Sequence, residues 1–556
     1  MWAKGTVIYM TPIVTSRQRP SSCFIFLNDP RYRPSFGEGY SGKKRPTLFL
    51  LKWGDSRAGK SSLTALTLPE DGKLDHVLFG QAVFARDDLL FANGHEYFGD
   101  GRLLGIKGCL NRPSGVWKLG IPRIDQSEDP QLQPLTHLSK LTLPHRSSRS
   151  PRICRKESGH SIVIWVSNQA GGAHASSTSI HTLDMETGEE KTILGTTWEP
   201  SPTDSFPGYY GDFSLPSQPF LRLASSLFIV FHSTCGSRTT VLLVNVADGH
   251  VKDLTPDADG LLYSWTVLVT DGINQVVCVR SSLSSPPEVL LGKVDDNQGI
   301  AWQVINKTAL TPEGILGQFG REDSWSRYFH LVENSLKTLH TSVIKIPDHY
   351  PTEVIFLESD SMDGKPSASK PCVSIPHGGP HVSHVTSFAP MYTAMALEGC
   401  ECPRSNKHHH CLIIIQVTIS LINYTGSLGF GETYVRKLIG RAGTLDVGDC
   451  IASVHHLIKI GKSERGPGKQ FVQGGSHGGF LTAHRKLLRS LSLTFRSERI
   501  IAYSHWAASR RFQRCGYAEP GNFLWRDINH WYPRLVLWRI RTPIRAYDDH
   551  VAGFVY

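Results

Sequence analysis

Gly474-Gly475-Ser476-His477-Gly478 is the strongest chemical signal in the chain, a G-x-S-x-G pattern between KQFVQ and FLTAHRKLLRS. The first flank reads as a strand. The second, with Phe480, Leu481, Leu487 and Leu488, reads as a helix. A sharp strand-to-helix turn lifts a serine hydroxyl above a sheet, small neighbours leave it room, and the amide after it can stabilise an oxyanion. Glycine and serine cluster in many loops, so the pattern alone says little. Its place between a strand and a helix makes Ser476 a candidate nucleophile.

His377-Gly378-Gly379-Pro380 stands 99 residues earlier, also at the end of an apolar strand. Its glycines let a backbone amide approach a substrate carbonyl as a second oxyanion donor. His377 itself reads as an organiser of that loop rather than a proton carrier. Asn423-Tyr424-Thr425-Gly426-Ser427-Leu428-Gly429-Phe430-Gly431 follows the apolar run CLIIIQVTISLI at 411–422, read as one buried strand, and GTLDVGD at 443–449 opens the next helix.

Two other patterns invite chemistry. GDSRAGKS at 54–61 matches the phosphate-binding pattern G-x-x-x-x-G-K-[ST]. A phosphate loop must open a helix, whereas SSLTALTLP reaches Pro69 within a few residues, so the segment is expected to be an inter-strand loop. The rejected reading is a nucleotide-dependent ATPase using Lys60. Cys400, Cys402, His408, His409, His410 and Cys411 have zinc-ligand chemistry but irregular spacing. No metal and no cofactor is inferred, and CECPRSNKHHHC at 400–411 is expected to be an unstructured insertion.

The elements that must position Ser476 come in two kinds. After about residue 344, apolar strands (PTEVIFLE, PCVSIPHGG, KQFVQGG) alternate with helix-compatible stretches, as in an α/β domain. Between about 45 and 340, short apolar runs are bounded by Gly, Pro, Asp and Ser. Three segments there look like matching hairpins with turn glycines Gly72, Gly188 and Gly249, spaced near multiples of about 60 residues. Radial repetition of small antiparallel sheets makes a β-propeller, and a β-sandwich is the alternative.

Composition narrows the class. The 556 residues are 40% hydrophobic and 19% charged, with 51 Gly and 33 Pro, which suits a turn-rich globular chain of several hundred residues. The run at 411–422 is too short to span a bilayer, and the N-terminus lacks a cleavage pattern. Eleven cysteines without a framework suit free thiols. A cytoplasmic protein without membrane partners is therefore expected. The net charge of +10 is scattered over loop-like pieces without an aromatic platform, which argues against nucleic acid.

HGGPH, NYTGSLGFG, the G-x-x-D-V-x-D element and GGSHGGF, in this order, resemble the catalytic domain of the acylaminoacyl peptidases, within the prolyl oligopeptidase family of serine peptidases. LLKWGDSRAGKSS resembles a propeller strand and loop of that family, so the likeness runs from about residue 40. It implies an N-terminal β-propeller (41–340, after an N-terminal segment 1–40) that filters substrates by size, and a C-terminal α/β-hydrolase (341–556) that removes an N-acylated amino acid from short blocked peptides. By motif match Ser476 is the nucleophile, and the amides of Gly379 and His477 are the oxyanion donors. A homo-oligomer is also implied.

The chain departs from this pattern in places. The family's triad aspartate and histidine follow an S/T-P-I-R segment. Aligned with Thr542, Pro543, Ile544 and Arg545, that segment puts both partners beyond residue 556, so the hydrolase is expected to be truncated before its last strands. Asp548, Asp549 and His550 are adjacent, whereas a catalytic Asp and His come from separate loops, so they are not taken as substitutes. Thr425 replaces an arginine, and the propeller reads as a blade or two short. Two functions stay open: an acylaminoacyl-type serine peptidase, or a catalytically silent homologue that binds peptides or associates with a complete subunit.

Overall fold

The computed structural model describes residues 36–484, apart from several internal stretches of which 308–332 is the longest, together with strand segments at 6–10 and 501–502. Among the described residues, twenty strands form five four-stranded units. The first contains Thr6–Met10, Leu48–Trp53, Ser61–Thr67 and Leu132–Pro134; the second Val77–Arg86, Leu89–Glu96, Ser114–Gly120 and His137–Lys140. The third contains Arg146–Arg155, Ser161–Gln169, Ser179–Asp184 and Glu190–Leu194. The fourth runs from Phe220–Leu223 through Ser226–Cys235 and Arg238–Asn245 to Val251–Asp253, and the fifth from Ser264–Thr270 through Gln275–Ser282 and Ser285–Val294 to Ile300–Lys307. A single residue pair, Ser114 with Ser147, joins the second unit to the third.

Alternating strand residues fill the spaces between units. Ile164, Val166, Phe231 and Leu242 form one cluster between the third and fourth, and Val230, Leu243, Trp265 and Cys278 another between the fourth and fifth. Neither face of the fourth sheet is left to water, which is the construction of propeller blades.

Two of the three expected hairpins occupy the same place in successive units. Gly188 and Gly249, with φ of 73° and 74°, close the outer hairpins of the third and fourth. Both turns are built alike: the Gly188 amide donates to the Asp184 carbonyl and that of Gly249 to the Asn245 carbonyl, each at 2.9 Å. The segment around Gly72 is different. Gly72 lies outside the described residues, and the strands flanking it belong to separate sheets, because Ser61–Thr67 pairs with Leu48–Trp53 and Leu132–Pro134 while Val77–Arg86 pairs with Leu89–Glu96. It is a crossing between units rather than a hairpin. Residues 54–60 also lie outside the described residues, but Trp53 pairs antiparallel with Ser61. The chain after the G-x-x-x-x-G-K-S match is therefore a strand, and the helix a phosphate loop needs is not there.

The second body is a six-stranded mixed sheet of β1 (Leu339–Lys345), β2 (Glu353–Ser359), β3 (Cys372–Pro376), β4 (Thr418–Asn423), β5 (Gln470–Gly474) and β6 (Ile501–Ala502), in the order β1-β2-β4-β3-β5-β6. The pairings β1-β2 and β2-β4 are antiparallel and the rest parallel, so β2 alone runs against the other strands. All residues of β3 and β4 are buried, as expected for strands covered on both faces. Helix α1 (Pro390–Glu398) and propeller residue Leu283 cover one face. The other is covered by α3 (Leu445–Lys459), which follows the short α2 (Glu432–Arg436), and by α4 (His477–Ala483). In α3 the covering residues Val447, Cys450, Val454 and Leu457 recur at helical spacing, and full burial of a residue such as Leu457 stabilises by about 2 kcal/mol.

Two sequence expectations change here. The run at 411–422 is two strands, since His409–Ile415 pairs with Cys400–Asn406 in a separate hairpin and only Thr418–Asn423 enters the main sheet. The described part of the insertion is therefore stranded instead of unstructured: its β-branched run Ile413-Ile414-Ile415 pairs with Cys402, Glu401 and Cys400. The side chains of its cysteines and histidines lie outside the description. Among the described residues no helix is long and apolar enough to cross a membrane.

Candidate active site

Strand β5 ends at Gly474, and the chain turns into α4 through Gly475 and Ser476. Ser476 has φ 54° and ψ −124°, a strained conformation for a residue with a side chain. The turn is possible only because its neighbours lack Cβ atoms: one added to Gly474 would strike the carbonyl oxygen of Gly478, and one added to Gly478 would strike that of Pro376. Helix α4 is described to Ala483, and His484 is already extended. Leu487 and Leu488, expected on the same helix, lie outside the described residues.

The loop after β3 meets this turn. A Cβ built on Gly378 would lie 3.3 Å from Ser476 Cβ and 3.2 Å from the Gly475 carbonyl oxygen, so the glycine lets the two loops touch. Gly379, at φ 116°, is in backbone space closed to other residues. Its amide and that of His477, at the start of α4 where helix amides have no intrahelical acceptor, belong to the two segments that meet here.

The side chains of His377 and His477 are both engaged. His377 is buried, and burial holds its imidazole well below the usual range, so the ring is neutral. Nδ1 donates to the Gly378 carbonyl at 2.7 Å, and Nε2 lies 2.7 Å from Ser427 Oγ, a hydroxyl that also reaches the Tyr424 carbonyl at 2.6 Å. Tyr424 stacks on the ring with centroids 4.2 Å apart and donates its hydroxyl to the His377 carbonyl. Nε2 of His477 bonds Asp446 Oδ2 at 2.8 Å, while Oδ1 of that fully buried carboxylate accepts the Gly443 and Val447 amides. Among the described residues Ser476 Oγ has no hydrogen-bond partner. Asp548, Asp549 and His550 lie outside the described residues.

Asp446 and Asp449 of the G-x-x-D-V-x-D element both meet partners that their spacing does not announce. Asp449 Oδ2 accepts the Thr425 amide at 2.6 Å and its other oxygen bonds His349 at 2.7 Å, so main chain and a histidine occupy this carboxylate.

The propeller closes over this side of the sheet through polar contacts. The Gly236 amide donates to the Gly429 carbonyl, the Thr386 amide to the Ser237 carbonyl, and the Ser177 amide to Oε2 of buried Glu432 at 2.8 Å. Ser237 Oγ donates to Glu353, whose carboxyl burial pushes up in pKa.

A serine at positive φ after the fifth strand of a sheet ordered 1-2-4-3-5-6, beside a His-Gly-Gly loop, defines an α/β-hydrolase scaffold. Residues 23–312 match the acylamino-acid-releasing enzyme N-terminal domain family, and residues 415–485 match the prolyl oligopeptidase family. The chain belongs to the acylaminoacyl peptidases of the prolyl oligopeptidase family. It is 29% identical over 481 residues to the acylamino-acid-releasing enzyme of Arabidopsis thaliana, an alignment covering 82% of this chain and 55% of the relative. The corresponding figures for the Mus musculus enzyme are 26% over 474 residues, 83% and 53%. The chain thus spans about half the length of the curated relatives it matches. Its fold is similar to that of Pyrococcus horikoshii acylaminoacyl peptidase, with a TM-score of 0.50 at 12% identity, over 86% of this chain and 57% of that one.

Proposed function

We propose that this chain is a serine peptidase that releases an N-acylated amino acid from short blocked peptides, with a propeller at 41–340 and a hydrolase domain at 341–556. The observation that supports it best is the strained Ser476 against the His377-Gly378-Gly379 loop. In this reading Ser476 Oγ attacks the acyl carbonyl, and the amides of Gly379 and His477 hold the developing oxyanion. A histidine base, oriented by an aspartate, takes the serine proton and gives it to the leaving amine, and water then releases the acyl group. His377 and His477 are not assigned as that base, because each side chain is held by another partner.

A second reading, a chain that binds blocked peptides without turning them over, is favoured by the absence of a partner for Ser476 Oγ among the described residues. A serine without its base loses on the order of 10^4-fold in rate. Fluorophosphonate labelling and hydrolysis of an N-acetyl-alanyl chromogenic substrate separate the two. Labelling and turnover, both abolished in Ser476→Ala, support the peptidase; saturable peptide binding without either supports the binder.

A further inference from the structure

His174 belongs to a propeller loop that is held from both sides. The Gly171 amide donates to the Asn111 carbonyl at 2.8 Å, Asn111 Nδ2 donates to the Gly172 carbonyl at 2.9 Å, and the Leu110 amide donates to the carbonyl of His174. Ala173 packs with Tyr210 of the propeller and with Leu428 and Val435 of the hydrolase. The loop thus presents His174 to the other domain without freedom to swing.

Its ring centroid lies 5.2 Å from that of His381, two residues beyond Gly379 in the oxyanion loop. His381 is buried and its Nδ1 donates to the Gly426 carbonyl at 3.0 Å. His174 is half-buried, and among the described residues its imidazole nitrogens have no hydrogen-bond partner. Burial first, and then the proximity of His381 and His477, push its pKa down to about 4, so the ring is uncharged near neutral pH. His174, His381 and His477, from three segments, thus lie close enough to feel one another's charge, and the last of them directly follows Ser476.

Resting on the peptidase reading above, we propose that His174 is a specificity residue: the propeller lends the hydrolase an imidazole that hydrogen-bonds the amide of a blocked amino terminus. A neutral ring can donate to a carbonyl or accept from an N–H, but offers no counter-charge to an ammonium. The nearby carboxylates do not offer one either, since Asp446, Asp449 and Glu432 are buried and each accepts a backbone amide. An acylated terminus fits this lining, and a free amine would lose its hydration without gaining a partner.

The test uses the full chain carrying Ser476→Ala, a fluorescein-labelled N-acetyl-tetrapeptide and the same peptide with a free amine, read by fluorescence anisotropy. His174→Ala should weaken binding of the acetylated peptide about tenfold, the loss of one hydrogen bond. His174→Gln, whose neutral amide can replace that bond, should restore most of it, and the free-amine peptide should bind weakly throughout. Unchanged affinity in His174→Ala, equal loss in both variants, or equal affinity for the two peptides would overturn the proposal. Fluorophosphonate labelling of the parent tests the peptidase reading separately. A labelled parent with silent His174 variants refutes only the specificity role, whereas neither labelling nor peptide binding refutes both.

Discussion

Asp446 and His477 are joined by a 2.8 Å hydrogen bond across the gap between α3 and α4. His477 directly follows Ser476, so this bond fixes the direction of the helix whose first amide is the candidate oxyanion donor. It also keeps the imidazole of His477 away from the role of base.

Replacing Asp446 tests that clamp. Asp446→Ala leaves the Gly443 and Val447 amides and the His477 ring without their acceptor inside the protein, and should destabilise the hydrolase by about 3 kcal/mol. Asp446→Asn keeps one carbonyl acceptor and should cost about 1 kcal/mol. Urea denaturation followed by tryptophan fluorescence measures both, and equal midpoints for the parent and the alanine variant would contradict the assignment.

The glycines of the turn are a second test. A methyl at Gly478 runs into the Pro376 carbonyl, which is backbone and cannot swing aside. Gly478→Ala should reduce fluorophosphonate labelling of Ser476 by about 10^2-fold, as expected when a reacting group shifts by about 1 Å. Gly448→Ala serves as a control, because a Cβ there meets nothing within 4 Å, and its labelling should match the parent.

At the seam between domains, Glu432 accepts the Ser177 amide from the propeller and the Arg436 guanidinium from its own helix. Glu432→Ala should cost about 2 kcal/mol, because it leaves the buried Ser177 amide without an acceptor, while Arg436 keeps its bond to Gln169. Limited proteolysis should then cut between the domains sooner than in the parent. Glu432→Gln, which can still accept from Ser177, should be cut at nearly the parent rate.

Acid should loosen the whole molecule. His95, His174, His181 and His384 are each pushed down to about 4, burial being the largest cause in every case. The unfolded chain takes up these protons near pH 6.5, so it binds more protons than the folded chain between about 6.5 and 4. Stability is fully present above that window and is lost as pH falls through it. A thermal midpoint that stays level from pH 7.5 to 4.5 would count against these burials.

The elbow was legible in the sequence because its requirements are local: small residues around Ser476, a strand before and a helix after. The hairpin turns at Gly188 and Gly249 were legible for the same reason. The segment at Gly72 was not, since turn chemistry does not show which sheet the next strand will join. Nor did any spacing show that Asp446 would meet His477, 31 residues away, or that His174 would lie beside His381 across a domain boundary. Such meetings depend on how helices pack and how two domains dock.

The hairpin of Cys400–Asn406 and His409–Ile415 sits in the connection between α1 and β4, and its outermost pair is Cys400 with Ile415. Paired strands run about 5 Å apart, so the path from α1 to β4 hardly advances while the chain makes this detour. The detour can be cut out and the ends rejoined by two glycines, or extended with a reporter peptide, without changing where β4 enters the sheet. It is a natural splice point, and a chain lacking 401–414 should retain the melting temperature and the fluorophosphonate reactivity of the parent.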